Sequence, residues 1–271
     1  MVGSNFHHLK TFYMRRVELD RRFMNLLCSS CPVMEDLKLE SCKFSDNHFQ
    51  RIASPTLKKL VMHFCVNNTG HPLLIMAPSL NYLDISYGCY QDGIWLQKLD
   101  SLVKALIQID GDRQTLSVAT QLGILGSLFN VTSLKFVGLE AEVMLSAKSD
   151  EFPIFHNMRT VCFSWCFLDA YDLNDKLEAL ERFLQNTPCL EKLILKYCMY
   201  YSSPDSEWEI ERKSITLQRL GRRVTREDFK CPKLKLIEVI YDYDQDHQLI
   251  EILWSLGRSF PEASIKLTKD E

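Results

Sequence analysis

The stretch CPVMEDLKLESC (residues 31–42) returns in altered form as TPCLEKLILKYC (187–198), 156 positions later. Both copies place Pro second, an apolar residue fourth, Leu seventh and ninth, and Cys last. The closing cysteine can be a metal ligand, a disulfide partner or a buried wall residue, and two copies alone do not choose among these. Written generally as x-P-x-Φ-x-x-Φ-x-Φ, with Φ apolar, the phrase also occurs as SPTLKKLVM (54–62), APSLNYLDI (77–85) and CPKLKLIEV (231–239). Weaker copies without Pro are HHLKTFYM (7–14), VTSLKF (131–136) and HNMRTVCF (156–163), and LVKALIQI (102–109) fills the gap between two of them.

The central anchors Leu37, Leu60 and Leu83 are spaced by 23 residues, and Leu134 follows 51 residues later, two repeats with one strand between. A period of 23–27 with an L-x-x-L-x-L core is the mark of a leucine-rich repeat. In each copy the anchors face inward and the alternate residues outward. Cys follows the central anchor by five residues in four copies, at Cys42, Cys65, Cys166 and Cys198. That is where the strand bends into its turn, so a small buried residue stacking on its neighbours is expected there. The wall reading wins. Between strands, apolar residues recur at helical spacing over 173–184, and 19–30 and 114–130 also read as helices. Residues 45–54 read as a single turn. The expectation is α/β: a leucine-rich-repeat solenoid of nine or ten parallel strands on a concave face, with helices and turns on the convex face.

The spacing of anchors stretches to 27, 32 and 44 residues toward the C-terminus. The last interval holds a polar, charged segment. This predicts a repeat region over 1–201, an insertion loop over 202–230, and a last repeat with a terminal cap over 231–271. In the cap, a strand is followed by a helix over 246–260 and a final strand over 263–268, closing the open end as terminal repeats must.

Composition narrows the function. A 271-residue chain that is 46% hydrophobic and 25% charged can bury a sizeable core. A net charge of −3 gives no global pull toward nucleic acid, and no apolar run is long enough for a membrane span. With no secretory signal in its first residues and a chain too long to need disulfide staples, its ten cysteines are expected to be free thiols in the cytoplasm or nucleus.

Other candidate sites carry little. Cys28-Ser-Ser-Cys31 and the Cys162/Cys166 pair lack the paired geometry of a zinc site, since Cys31 sits before the repeat Pro and Cys166 is a wall position. Asp242, Asp244 and Asp246 alternate as in a calcium loop, but the glycine and the closing glutamate are missing, so an acidic helix cap is expected. No metalloprotease, nucleophile-elbow, Walker or dinucleotide motif occurs, so neither catalysis nor a cofactor is expected. The basic cluster Lys213, Arg219, Arg222, Arg223 and Arg226 is diluted by acidic neighbours and reads as a solvated loop. The outward alternation predicts a mixed-charge face carrying Tyr13, Arg15, Lys38, Glu40, Lys59, His63, Tyr82, Asp84, Lys135, Lys192 and Lys196. Aromatic anchors beside charge suit protein recognition.

CPVMEDLKLESCKF, APSLNYLDIS, SLVKALIQI and LEKLILKYC resemble plant F-box/LRR proteins, and the segment from Cys231 to Thr268 resembles their FBD tail. The resemblance spans essentially the whole chain. It implies a repeat domain that selects a protein substrate, while the family's F-box docks on a Skp-type adaptor of a cullin–RING ubiquitin ligase. No F-box pattern, an LPxxLL-like start followed by two amphipathic helices, occurs in this sequence, so the adaptor and cullin become partners only through a longer form. The expected function is protein binding for substrate recognition, without chemistry of its own. The alternatives are an F-box-less scaffold or decoy, and a small-molecule or metal-binding protein.

Overall fold

A computed structural model of the chain describes residues 7–45, 50–90, 92–97, 99–108, 116–146, 152–168, 173–198, 231–241, 253, 256–258 and 260–270. The chain advances in repeated turns. The first holds β1 (Thr11–Arg15), β2 (Glu18–Leu19) and α1 (Arg21–Ser30). The second holds β3 (Asp36–Glu40), β4 (Lys43–Phe44) and β5 (Arg51–Ala53), and the third β6 (Lys59–His63), β7 (Val66–Asn67) and β8 (Leu73–Met76). The fourth is β9 (Tyr82–Ser86), β10 (Cys89–Tyr90) and β11 (Ile94–Gln97). Then follow β12 (Lys104–Gln108) with α2 (Val118–Ser127), β13 (Ser133–Val137) with α3 (Ala141–Ser146), and β14 (Thr160–Ser164) with α4 (Leu173–Gln185). The last strands are β15 (Lys192–Lys196), β16 (Leu236–Tyr241) and β17 (Ser264–Lys269).

The architecture is α/β with parallel pairing throughout, compatible with a leucine-rich-repeat-like fold. A ten-stranded sheet runs β1-β3-β6-β9-β12-β13-β14-β15-β16-β17. Its register is that of the sequence anchors: Phe12, Leu37, Leu60, Leu83, Ala105, Leu134, Val161, Leu193, Ile237 and Ile265 pair in one row. Slippage by one residue would turn every anchor to water, so the apolar pattern fixes the register.

Two backbone devices hold the turns in step. In four of the five copies with Pro, the turn closes on an i→i+3 hydrogen bond, Met34 N–H to Cys31 C=O (3.2 Å), Leu80 to Ala77 (3.0 Å), Leu190 to Thr187 (3.1 Å) and Leu234 to Cys231 (3.1 Å). Pro belongs at the second place because its fixed φ suits a turn and its missing N–H is not needed there. Before β3, β6, β9 and each of β12 to β16, one carbonyl of the preceding turn accepts from two successive amides. Glu35 C=O takes Lys58 and Lys59 (2.8 and 2.9 Å), Arg159 C=O takes Glu191 and Lys192 (2.9 and 3.0 Å), and Glu191 C=O takes Lys235 and Leu236 (2.9 and 3.2 Å).

The four corner cysteines are buried free thiols. Cys42 Sγ donates to Met14 C=O (3.6 Å) or Glu40 C=O (3.5 Å), and Cys65 Sγ to Leu39 C=O (3.6 Å) or His63 C=O (3.5 Å). Cys166 Sγ donates to Phe136 or Ser164 C=O (3.4 and 3.3 Å) and accepts from Leu139 N–H (3.3 Å). Each thiol thus bonds backbone at the corner of its own turn or the previous one.

The back layer differs from the expectation of helices and turns. Helices occur where expected at α1, α2 and α4, and α3 was not anticipated. In the second to fourth turns, β5, β8 and β11 form a three-stranded sheet instead, and β2, β4, β7 and β10 a four-stranded one at the corner. The segment over 45–54 therefore contains a strand rather than a lone turn. Spacing explains the switch. Strand-backed turns advance 23, 23 and 22 residues between aligned anchors, and helix-backed turns 25, 29, 27 and 32. A helix rises about 1.5 Å per residue against about 3.3 Å for a strand, so a helix spanning the same height needs roughly twice the chain.

One continuous core lies between front sheet and back layer, from Met14 and Leu19 to Leu256 and Phe260. Phe152, Phe155, Phe163, Phe167 and Phe183 fill it under α4, with Phe163 and Phe183 edge-on at 4.9 Å between centroids. Asp20 caps α1 by accepting from Phe23 N–H (2.6 Å). Arg182 on α4 donates to the C=O groups of Met144 and Leu145 (3.2 and 2.9 Å), satisfying the last carbonyls of α3. Among the described residues, no helix is long and apolar enough to cross a membrane.

Candidate protein-binding face

In each five-residue strand the second and fourth side chains enter the core and the first, third and fifth face away from it. In β3, Leu37 and Leu39 are fully buried while Asp36, Lys38 and Glu40 are part-exposed. All eleven predicted residues occupy outward positions, so the sheet gathers them on one face: Tyr13 and Arg15 on β1, Lys38 and Glu40 on β3, Lys59 and His63 on β6, Tyr82 and Asp84 on β9, Lys135 on β13, and Lys192 and Lys196 on β15.

At the β1 end Glu40 is the hub. It accepts from Tyr13 Oη (2.7 Å) and pairs with Arg15 (3.1 Å) and Lys38 (3.4 Å), while the Lys38 ammonium lies 5.0 Å from the Tyr13 ring centroid. The Tyr13 hydrogen bond, helped by the two cations, lowers the Glu40 carboxyl, and the same bond raises the Tyr13 phenol. Lys59 pairs with Asp36 (3.7 Å), and Lys59 and Lys104 flank the Tyr82 ring at 5.8 Å each. Asp84 is not the exposed contact expected of it. Only 7% exposed, it accepts from Ser86 Oγ (2.5 Å), His63 Nε2 (3.1 Å) and Tyr82 Oη (3.4 Å), and so holds these side chains in place. Such a carboxylate needs those partners to be buried at all.

At the other end Glu238 on β16 sits between Lys192 (2.9 Å) and Lys266 (2.7 Å), which hold its carboxyl down to about 2. Lys196 pairs with Asp270 (2.7 Å), which also accepts from Tyr197 Oη and is lowered by both. Lys135 stands exposed between the two clusters and beside half-buried Cys162, whose thiol burial pushes up against the opposing pull of Lys135, Lys196 and Lys192.

A rim of aromatic residues was missed in the sequence. The residue after the strand has positive φ at Arg16, Ser41, Phe64, Tyr87, Trp165 and Tyr197 (53–56°) and at Gly138 (77°). This left-handed corner lets the N–H reach the next turn's carbonyl, as from Phe64 to Ser86 (3.0 Å) and Trp165 to Lys196 (3.0 Å). A non-glycine residue pays about 1 kcal/mol for it. Aromatics occupy four of these corners. Phe64 and Tyr87 stack at 5.0 Å and 13°, and Trp165 and Tyr197 lie 4.8 Å apart. Phe64, Tyr87 and Trp165 are about half exposed. The available signal was adjacency, because an aromatic directly precedes the corner position in HFC, SYG, SWC and KYC.

The remaining sequence candidates add nothing to this face. Among the described residues no group of three or more His, Cys, Asp or Glu side chains could hold a metal ion. Asp242, Asp244 and Asp246, the basic cluster from Lys213 to Arg226, the whole 202–230 segment and most of the 246–260 helix lie outside the described residues.

No family model matches the sequence. No solved structure matches it either. Curated relatives do. The rice (Oryza sativa subsp. japonica) meiotic F-box protein MOF is 32% identical over 186 residues, 62% of this chain and 38% of that protein. An F-box/LRR-repeat protein of Arabidopsis thaliana is 26% identical over 222 residues, 71% of this chain and 40% of its own length. Another from Arabidopsis thaliana, named as of the F-box/FBD/LRR-repeat kind, is 27% identical over 70% of this chain and 44% of its own length. The chain therefore spans less than half the length of these relatives. Over roughly two thirds of its residues, this chain is homologous to the F-box/LRR-repeat and F-box/FBD/LRR-repeat proteins of plants.

Proposed function

We propose that the chain is the protein-binding part of a substrate-recognition subunit for an SCF-type cullin–RING ubiquitin ligase. In this reading the repeats over 1–201 form a solenoid with the ten-stranded sheet on its concave side, 202–230 is an insertion, and 231–271 carries the last repeat and an FBD-like cap. The observation that carries it is the continuous outward face, where mixed charge adjoins the Phe64–Tyr87 and Trp165–Tyr197 pairs, with Phe64, Tyr87 and Trp165 about half exposed. Aromatic anchors beside satisfied polar groups are what protein interfaces use. The names of the relatives support the ligase context. The chain works by binding, in cytoplasm or nucleus, and ubiquitin transfer belongs to partner subunits.

The test is affinity capture by the tagged chain from plant extract, with Phe64→Ala/Trp165→Ala as face variant and Glu142→Ala on α3 as control. Proteins retained by wild type and control but lost from the face variant support the reading. Loss of none of them sinks it. Co-recovery of a Skp-type adaptor and cullin supports ligase docking, and recovery of other proteins alone favours the scaffold reading.

A further inference from the structure

The outward charges are divided unevenly. On β1, β3, β6 and β9 they balance, with Arg15, Lys38 and Lys59 against Asp36, Glu40 and Asp84. On β12 to β17 the outward positions carry Lys104, Lys135, Lys192, Lys196 and Lys266 against Glu238 alone, with Asp270 just past β17. Glu238 and Asp270 serve Lys192, Lys266 and Lys196. Among the described residues neither Lys135 nor Lys104 has a carboxylate partner, and the Lys104 ammonium lies 5.8 Å from the Tyr82 ring centroid. Both are exposed. Leu106 on β12, Val137 on β13 and Ile194 on β15 add part-exposed apolar side chains to the same half of the face.

We propose that the β12–β15 half of the face, centred on Lys104 and Lys135 and bounded by Trp165 and Tyr197, binds an extended acidic peptide segment carrying an apolar side chain. The assignment rests on the protein-binding reading above and specifies its target chemistry. Two ammonium groups without carboxylate partners among the described residues attract carboxylates at little desolvation cost, and the aromatic corner offers an apolar seat. Parallel strands lie about 4.8 Å apart, so β13 to β15 span roughly 10 Å, the reach of three extended residues. A duplex nucleic acid is the poorer fit, because a net charge of −3 and the carboxylates at Glu238 and Asp270 oppose a phosphate backbone.

The experiment is fluorescence anisotropy with a labelled Glu/Asp-rich peptide containing one Trp, its Lys-substituted counterpart, and a labelled oligonucleotide of equal charge. The acidic peptide is expected to bind the wild-type chain, weakening as salt rises. Lys104→Glu/Lys135→Glu should weaken it at least tenfold, and Lys43→Glu, exposed on β4 outside the ten-stranded face, less than twofold. Circular dichroism confirms that the variants fold; these outward positions leave the core intact. Equal loss in Lys43→Glu, equal binding of the oligonucleotide, or no binding of the acidic peptide overturns the assignment. If the acidic peptide fails while Phe64→Ala/Trp165→Ala still loses its captured proteins, the acidic specificity falls and the protein-binding reading stands.

Discussion

Gly88 takes the corner position that Cys42, Cys65, Cys166 and Cys198 hold in other turns, and the reason is spatial. A Cβ at Gly88 would lie 2.3 Å from Cε2 of the buried Tyr90 ring and 2.9 Å from the Cys65 carbonyl oxygen. Gly88→Ala is therefore expected to lose about 1–3 kcal/mol in urea denaturation; an unchanged midpoint would mean that the ring and carbonyl move aside freely. The corner thiols make a second prediction. Burial raises the Cys65 thiol to about 12, and Cys42, Cys166 and Cys198 are equally enclosed. Since only thiolate alkylates readily, iodoacetamide at pH 8 should modify half-exposed Cys189 well before these four, which react on unfolding. Early modification of Cys65 under native conditions would contradict the wall role. The aromatic corners belong to this scale too. Their left-handed φ and exposure arise from the bend of the chain, and only their adjacency to the corner position was visible beforehand.

Among the elements, β15, β16 and β17 are joined through one carboxylate. Glu238 is held near 2 by Lys266 and Lys192, below the ordinary carboxylate value of about 4.3. A folded-state value below the unfolded one adds stability at neutral pH, and that contribution disappears as pH falls from about 4 toward 2. Glu238→Gln should cost roughly 1–2 kcal/mol at pH 7 and much less at pH 3. An equal cost at both pH values would show that the two lysines contribute nothing through charge. On the back layer, Arg182 caps the C-terminal end of α3 through the Met144 and Leu145 carbonyls, and it also pairs with Glu178 at 2.9 Å. The choice of strand or helix behind each turn followed residue count. That rule was present in the anchor spacing but needed the paired register to become legible, because short apolar runs such as HPLLIM fit either element.

For the whole molecule, the test of register is a pair of substitutions. Leu193→Asp places a charge at a fully buried anchor on the eighth strand of the ten-stranded row, and it should abolish cooperative folding by circular dichroism. Lys38→Ala, on the outward face, should stay within about 0.5 kcal/mol of wild type. Equal tolerance of both would contradict the register. The sequence by itself determined which residues are inward anchors, that nine or ten strands follow one another in the main sheet, where the corner thiols go and which side chains line the outer face, because a period of two within strands and of 22–44 between them is written in residue type and spacing alone. Tertiary structure decided the rest: that Asp84 is a buried acceptor, that β5, β8 and β11 pair into a sheet, that four aromatics stand at left-handed corners, and that Lys104 and Lys135 have no carboxylate partner among the described residues. Each of these depends on what the neighbouring turn places a few ångströms away, and a linear pattern holds no information about neighbours some 25 residues distant until the turns are stacked.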